Sequence, residues 1–327
     1  MGVPAHLADE ERGPVPLDDT IRDVRLPVRL YANQNTHRLI PASLALAIVA
    51  GVGPAVRQRR NPAERSAAEE FMRELLRYTP RAAESDALAA RWLVEKSKLR
   101  ELFWRPWLLQ KSEVHGREHW EAARADGDKG FVIVFAHMVA TWAVPAILGV
   151  RGFEHYIVVG PHYWAPLPPG YEGPAIKHRR IEYGVKPLGN RWLISTDGRP
   201  ERLPELIAAG QPVAIAFDAP GRAATPFLGR MIAVGGGGAA LAFHTGAKVL
   251  PVIPERHGTR IDLRFHAPLD ATDYPDARSL RAAIAATFEP IVLARPQEVE
   301  LAWFPSPLVT EAQPRPDRHA AAPEPAR

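Results

Sequence analysis

Cysteine is absent from this chain of 327 residues, which excludes disulfide bonds, thiolate metal ligands and cysteine nucleophiles. Also missing are the dense basic runs with interleaved aromatic residues that are typical of nucleic-acid-binding proteins. The net charge is nevertheless +4, and such a surplus favours anionic lipid surfaces or phosphorylated carriers as partners. We therefore expect contact with a membrane lipid surface and no nucleic-acid partner.

We also expect neither a secretory signal nor a full membrane span. Residues 1–36 contain no basic segment that leads into an apolar run. The most apolar window, Leu39–Val56, has eighteen residues and would reach about 27 Å as a straight helix, slightly less than a hydrocarbon core of ~30 Å. Four helix-breaking residues interrupt it: Pro41, Gly51, Gly53 and Pro54.

An uninterrupted helix from Ala42 to Gly53 would cover only about 18 Å, so we expect a monotopic anchor or a re-entrant piece. A buried core helix is the alternative. If the segment is a membrane anchor, anionic headgroups would be met by the arginines that follow it, Arg57, Arg59 and Arg60. The expected location is cytoplasmic, peripheral or monotopic on the inner face of the cell membrane.

The chain divides into four predicted segments. Residues 1–36 form an extended N-terminal segment, and residues 37–110 form a helical, membrane-associating region. In that region a helix starts near Asn61 and ends near Tyr78, and a second runs from about Ala82 to Phe103. Residues 111–308 form an α/β domain, and residues 309–327 a proline-rich, disordered tail.

Strands alternate with helices along the α/β segment. The apolar run Phe131–Ala136 predicts a strand buried on both faces, with His137 at its carboxyl end. Further strands are predicted at Tyr156–Gly160, Val213–Asp218, Val249–Ile253 and Ile261–His266, and helices near 141–149, 200–209, 238–246 and 278–293. This order predicts an α/β fold with a layered mixed, largely parallel sheet flanked by helices, after an N-terminal helical region. The segment Pro161–Gly173 is predicted to be a loop over the site.

His137 is the first candidate for a functional residue, because ligands of open α/β sheets bind beyond the carboxyl ends of the strands. Several blocks around it resemble, in the same order, those of the lipid A biosynthesis lauroyl/myristoyl acyltransferases, within the lysophospholipid acyltransferase superfamily. The blocks are Val114–Glu118, the strand ending in His137, Gln211–Arg222, Pro226–Arg230, the glycines at 235–238, Leu241–Pro254 and Ala294–Trp303. The resemblance implies acyl transfer from acyl carrier protein or coenzyme A, which are substrates, and no cofactor.

The family's signature is a histidine followed by four residues and a carboxylate. By this resemblance His137 is the general base, and the carboxylate would orient it and stabilise its imidazolium. The carboxylate is missing here, since the fifth residue on is Trp142 and the sixth is Ala143. An acid from elsewhere could replace it, and the candidates are Asp218, Glu154, Glu172 and Glu182.

Two alternatives do not need a replacement acid. An amine acceptor would require less help from the base than a glycolipid hydroxyl, and a non-catalytic homologue would only bind an acyl chain or carrier as a partner protein. Arg222, Arg230 and Trp142 are the expected substrate contacts, with solvated surface charge as the alternative for the two arginines. No metal site is expected, because His115 and His119 lack a visible third ligand.

Overall fold

The computed structural model describes residues 37–60, 63–125, 129–139, 141–159, 193–195 and 202–300. Within these ranges the helices are α1 (Ala42–Arg60), α2 (Ala63–Leu76), α3 (Ser85–Phe103), α4 (Arg117–Arg124), α5 (Ala143–Val150), α6 (Arg202–Ala208), α7 (Gly237–Thr245) and α8 (Ala277–Ala294). The strands are β1 (Val114–His115), β2 (Val132–Phe135), β3 (Tyr156–Val159), β4 (Leu193–Ser195), β5 (Val213–Ala216), β6 (Pro220–Phe227), β7 (Arg230–Val234), β8 (Val249–His257) and β9 (Arg260–Phe265).

The main sheet has the strand order β1-β9-β8-β2-β5-β3-β4. Strands β8, β2, β5, β3 and β4 run parallel to one another, while β9 is antiparallel to β8 and parallel to β1. Helices on both faces cover this sheet, and the helices α1–α3 precede it in the chain. The predicted fold class, a mixed and largely parallel α/β sheet after a helical region, is confirmed.

The central strand is β2, and all four of its residues are buried. Its register places Val132 beside both Val213 of β5 and Val249 of β8. A short apolar run therefore forms a strand here because both faces are covered and every side chain leaves water. The helical region and the sheet share one hydrophobic core, in which Trp92 of α3 donates its indole N–H to the carbonyl of Val299 at 2.7 Å.

Helix α1 is longer than predicted. It continues to Arg60 with Pro54 inside it, so the glycines and proline of the apolar window do not end it. Gly53 explains part of this result, because a Cβ at that position would lie 2.6 Å from the Ser97 hydroxyl of α3. The glycine permits close packing of α1 against α3, and this packing outweighs the low helix propensity of the glycines and the proline.

One face of α1 is buried and the other is open. Ala45 and Leu46 lie in the core, whereas Leu44, Ile48 and Val52 are between 47% and 54% exposed. None of the helices in the described ranges is long and apolar enough to cross a membrane.

The sequence patterns did not predict the antiparallel hairpin of β6 and β7. Other predictions fall outside the described residues: the segment 1–36, the loop Pro161–Gly173 and the tail 309–327.

Candidate active site

Two polar residues lie just beyond the carboxyl ends of neighbouring strands. His137 follows β2 and Asp218 follows β5, and the register pairs Phe135 with Ala216 at the ends of these strands. Since each polar residue comes two positions after its paired strand residue, the parallel register brings them side by side. This edge of the sheet is where α/β folds bind ligands.

Asp218 contacts His137 through both of its carboxylate oxygens. Oδ1 lies 2.7 Å from the ring Nδ1, and Oδ2 accepts the backbone N–H of His137 at 2.7 Å. The side chain of Asp218 is 2% exposed and that of His137 is 12% exposed. The carboxylate is thus buried and doubly hydrogen-bonded, and the imidazole is slightly exposed to solvent.

This arrangement fixes the tautomer of the imidazole. A carboxylate accepts hydrogen bonds, so the Nδ1 that faces it carries the proton. Nε2 is then the nitrogen that can take up a further proton, and the nearby negative charge stabilises the resulting imidazolium. The geometry is that of a histidine–aspartate dyad, in which the acid comes from β5 rather than from the turn after β2.

Glu154, another of the candidate acids, does not share this position. Glu154 is exposed and precedes β3, and the register aligns Tyr156 of that strand with Val213, at the amino end of β5. Glu154 therefore lies at the opposite edge of the sheet from His137, at least about 13 Å away along the strands. Glu172 and Glu182 lie outside the described residues.

The turn that carries His137 has an unusual backbone. Val139 has a φ of +59°, a conformation that β-branched residues rarely adopt. A segment from the end of the described chain holds this turn: Val139 N–H donates to the carbonyl of Glu298 at 2.7 Å, and Glu300 N–H donates to the carbonyl of His137 at 2.8 Å.

Glu300 also binds the turn through its side chain. Its Oε1 accepts the Thr141 hydroxyl at 2.8 Å and the Thr141 N–H at 3.2 Å. Glu300 is not among the predicted site residues, although it lies inside the last block of the resemblance, Ala294–Trp303. An acid in a block that resembles the family was the one available signal.

The three expected substrate contacts lie in different settings. Arg222 is exposed near the base of the β6–β7 hairpin. Arg230, at the far end, is partly buried and pairs with Glu74 of α2 at 3.4 Å. Burial lowers the pKa of Arg230, and the Glu74 charge opposes that effect. Trp142 is half-buried and packs edge-on against the ring of Phe103, with centroids 4.9 Å apart.

The glycine run 235–238 connects the hairpin to α7. Gly235 N–H donates to the carbonyl of Ala219 at 2.6 Å, which closes the base of the hairpin next to Asp218. A Cβ on Gly221 would lie 2.3 Å from the Val234 carbonyl. Close backbone packing therefore accounts for glycine at position 221.

One group in the described part of the chain has the composition of a metal site. Ligand atoms of Glu113, His115 and Asp262 lie within 4.8 Å of one another. Arg260 already pairs with Glu113 at 2.8 Å and with Asp262 at 2.9 Å. The guanidinium thus supplies the positive charge that a metal ion would bring, and the group forms an ion-pair network on β1 and β9.

A scan against protein-family models finds no match for this chain, and a search of curated proteins finds none either. Among solved structures, the chain is similar to the 1-acyl-sn-glycerophosphate (LPA) acyltransferase PlsC from Thermotoga maritima. The two are 16% identical, the match covers 77% of this chain and 94% of the other, and the TM-score is 0.34. A similarity at this level carries no argument about function.

Proposed function

We propose that this protein is an acyltransferase that moves an acyl group from a thioester, carried by acyl carrier protein or coenzyme A, to a hydroxyl or amine acceptor. The dyad carries the proposal: His137 Nδ1 lies 2.7 Å from a buried carboxylate oxygen of Asp218, at the ligand-binding edge of the sheet. The ordered sequence blocks that resemble the lipid A acyltransferases support the same reaction class.

In the proposed mechanism His137 Nε2 accepts the proton of the acceptor as its oxygen or nitrogen attacks the thioester carbonyl. The tetrahedral intermediate then collapses, the carbon–sulfur bond breaks, and the imidazolium returns the proton to the departing thiolate. Asp218 keeps the ring in the correct tautomer and stabilises the imidazolium. It thereby takes the role of the acid that is missing from the turn.

The contact between Asp218 and His137 favours a hydroxyl acceptor over an amine acceptor. An unassisted imidazole is a poor base for a hydroxyl group and would favour an amine acceptor. With Asp218 in contact, that reason no longer applies, and a hydroxyl acceptor such as that of a glycolipid becomes the first choice. Trp142 and Arg222 remain proposed substrate contacts. Arg230 is the weaker proposal, because Glu74 already pairs with it.

We also propose that the protein acts at the inner face of the cell membrane. Leu44, Ile48 and Val52 follow one another at intervals of four residues on α1, and Leu39, just before the helix, is 82% exposed. An apolar stripe on a surface helix suits insertion into the headgroup region of one leaflet. An acyltransferase with a lipid acceptor would meet its substrate there.

The test is intact-mass detection of acyl transfer from a panel of acyl carrier protein and coenzyme A thioesters to glycolipid hydroxyls and small amines. We expect transfer by the wild type and none by His137→Ala, with folding and thioester binding retained. An active His137→Ala protein would refute the mechanism. Thioester binding without transfer over the whole panel would favour the non-catalytic homologue.

A further inference from the structure

We propose that Glu300 is a positioning residue that holds the turn carrying His137, an inference that rests on the proposed role of His137 as the base. Two acids divide the work that one acid after the histidine would do. Asp218 contacts the imidazole, and Glu300 fixes the backbone on which the imidazole stands.

The contacts of residues 298–300 follow the turn residue by residue. Met138 and Val299 form an antiparallel bridge, the carbonyl of His137 accepts Glu300 N–H at 2.8 Å, and the carbonyl of Glu298 accepts Val139 N–H at 2.7 Å. The turn is therefore paired on both sides of Met138, starting at the carbonyl of His137. This pairing comes from a segment more than 150 residues further along the chain.

The turn needs the contacts with residues 298–300 because its backbone is strained. Val139 is a β-branched residue with a φ of +59°, and a residue in this region persists only where its surroundings hold it. Trp142, which caps the amino end of α5, provides no side-chain hydrogen bond to the helix. The Glu300 carboxylate instead accepts both donors of Thr141, immediately before Trp142, and its charge lies near the positive end of the helix.

The hairpin of β6 and β7 provides a matched control. In the described residues one other non-glycine residue, Leu228, has a positive φ, of +52°. Its N–H donates to the carboxylate of Glu289 at 2.7 Å. Glu289 thus binds a second strained turn through its carboxylate, but that turn carries no member of the dyad.

The experiment compares Glu300→Ala, Glu300→Gln and Glu289→Ala in the full chain. We expect Glu300→Ala to lower kcat by about ten- to a hundred-fold with little change in the KM for the thioester, because a small displacement of the base acts on the chemical step. Glu300→Gln keeps an acceptor oxygen and should recover most of the rate. Glu289→Ala should lose thermal stability without this loss of kcat.

A second readout does not depend on turnover. The Nδ1 proton of His137, hydrogen-bonded to Asp218, should give a low-field proton resonance that His137→Ala removes. We expect this resonance to shift or broaden in Glu300→Ala and to stay unchanged in Glu289→Ala. An unchanged resonance and an unchanged kcat in Glu300→Ala would overturn the inference. If the wild type has no transferase activity but the resonance changes in Glu300→Ala, the positioning role of Glu300 is supported and the proposed function is refuted.

Discussion

Asp218 holds His137 at two points, with one carboxylate oxygen on the ring Nδ1 and the other on the backbone N–H, both at 2.7 Å. The two residues are 81 positions apart in the chain. Their contact depends on the pairing of β2 with β5, so the sheet itself assembles the dyad. One residue thereby contacts both the imidazole and the backbone at the end of β2.

Replacing Asp218 should separate orientation from binding. An amide in Asp218→Asn can donate to Nδ1, which would stabilise the tautomer with the proton on Nε2 and disable the base. We expect kcat to fall by about 10²- to 10⁴-fold, with the KM for the thioester nearly unchanged. Acyl transfer kinetics measure this, and Asp273→Asn, an exposed aspartate, is the control. A wild-type rate in Asp218→Asn would show that the contact is structural only.

The apolar stripe of α1, formed by Leu44, Ile48 and Val52, should be required for binding to membranes. Replacing Leu44, Ile48 and Val52 together by serine should abolish flotation with anionic liposomes, because the stripe is the apolar surface that would enter the leaflet. These side chains are about half exposed, so folding should survive. Met231→Ser, which removes an exposed apolar side chain elsewhere, should float like the wild type. Equal flotation of the triple variant and the wild type would exclude the stripe as the contact.

The two arginines should behave differently when replaced by alanine. Arg230→Ala should lower stability, and a double-mutant cycle with Glu74→Ala should give a coupling of about 1 kcal/mol, since the pair is partly exposed. Arg222→Ala should leave stability unchanged and raise the KM for an anionic substrate. Denaturant unfolding and steady-state kinetics measure the two effects. A KM effect confined to Arg230→Ala would reverse this assignment.

Protonation of His155 should destabilise the protein in mild acid. Burial lowers the pKa of this histidine to about 4, although its Nδ1 lies 2.8 Å from the Phe153 carbonyl. Below its unfolded pKa of about 6.5 the unfolded chain binds a proton that the folded protein excludes, so stability falls as the pH falls. The loss should approach ~1.4 kcal/mol per pH unit between about pH 6.5 and 4.

The comparison for this prediction is His155→Asn, which keeps a donor for the carbonyl of Phe153 but does not titrate. Chemical unfolding of both proteins at several pH values gives the two stability profiles. The stability of the wild type relative to His155→Asn should fall as the pH drops below about 6.5, because the groups that the two proteins share cancel in the comparison. Parallel profiles would show that His155 does not titrate in this range.

Local sequence pattern was sufficient to predict the most apolar elements. Two continuous apolar stretches could be recognised as elements from the sequence: the run before His137 and the window of α1. Asp218 could be named as a candidate acid, but only among several, because the pairing of β2 with β5 decides which carboxylate reaches the imidazole. That pairing is a long-range property of the sheet.

The elements that were missed depend on partners rather than on composition. The hairpin of β6 and β7 contains proline and glycine, which local propensity disfavours in strands, and its strands pair with each other. Glu300 follows α8 in the chain, with no periodic sequence pattern around it. Its significance comes from the turn at Val139, whose backbone conformation is not visible in the sequence.

The position where the family signature places its acid offers the sharpest test of the dyad. Since Asp218 already contacts Nδ1, Trp142→Asp in the wild type should give no acceleration of hydroxyl acylation. It should instead cost stability, because it removes the contact of Trp142 with the ring of Phe103. Trp142→Ala measures that packing loss separately.

In the Asp218→Asn background the same change should have the opposite effect on rate. An aspartate at position 142 that reaches the imidazole would restore part of the lost kcat, whereas Trp142→Ala would not. Single-turnover acyl transfer is measured for Trp142→Asp and Trp142→Ala in the wild type and in Asp218→Asn, and each rate is compared with that of its background. Acceleration by Trp142→Asp in the presence of Asp218 would mean that the native imidazole lacks an effective acid, and would contradict the assignment of Asp218.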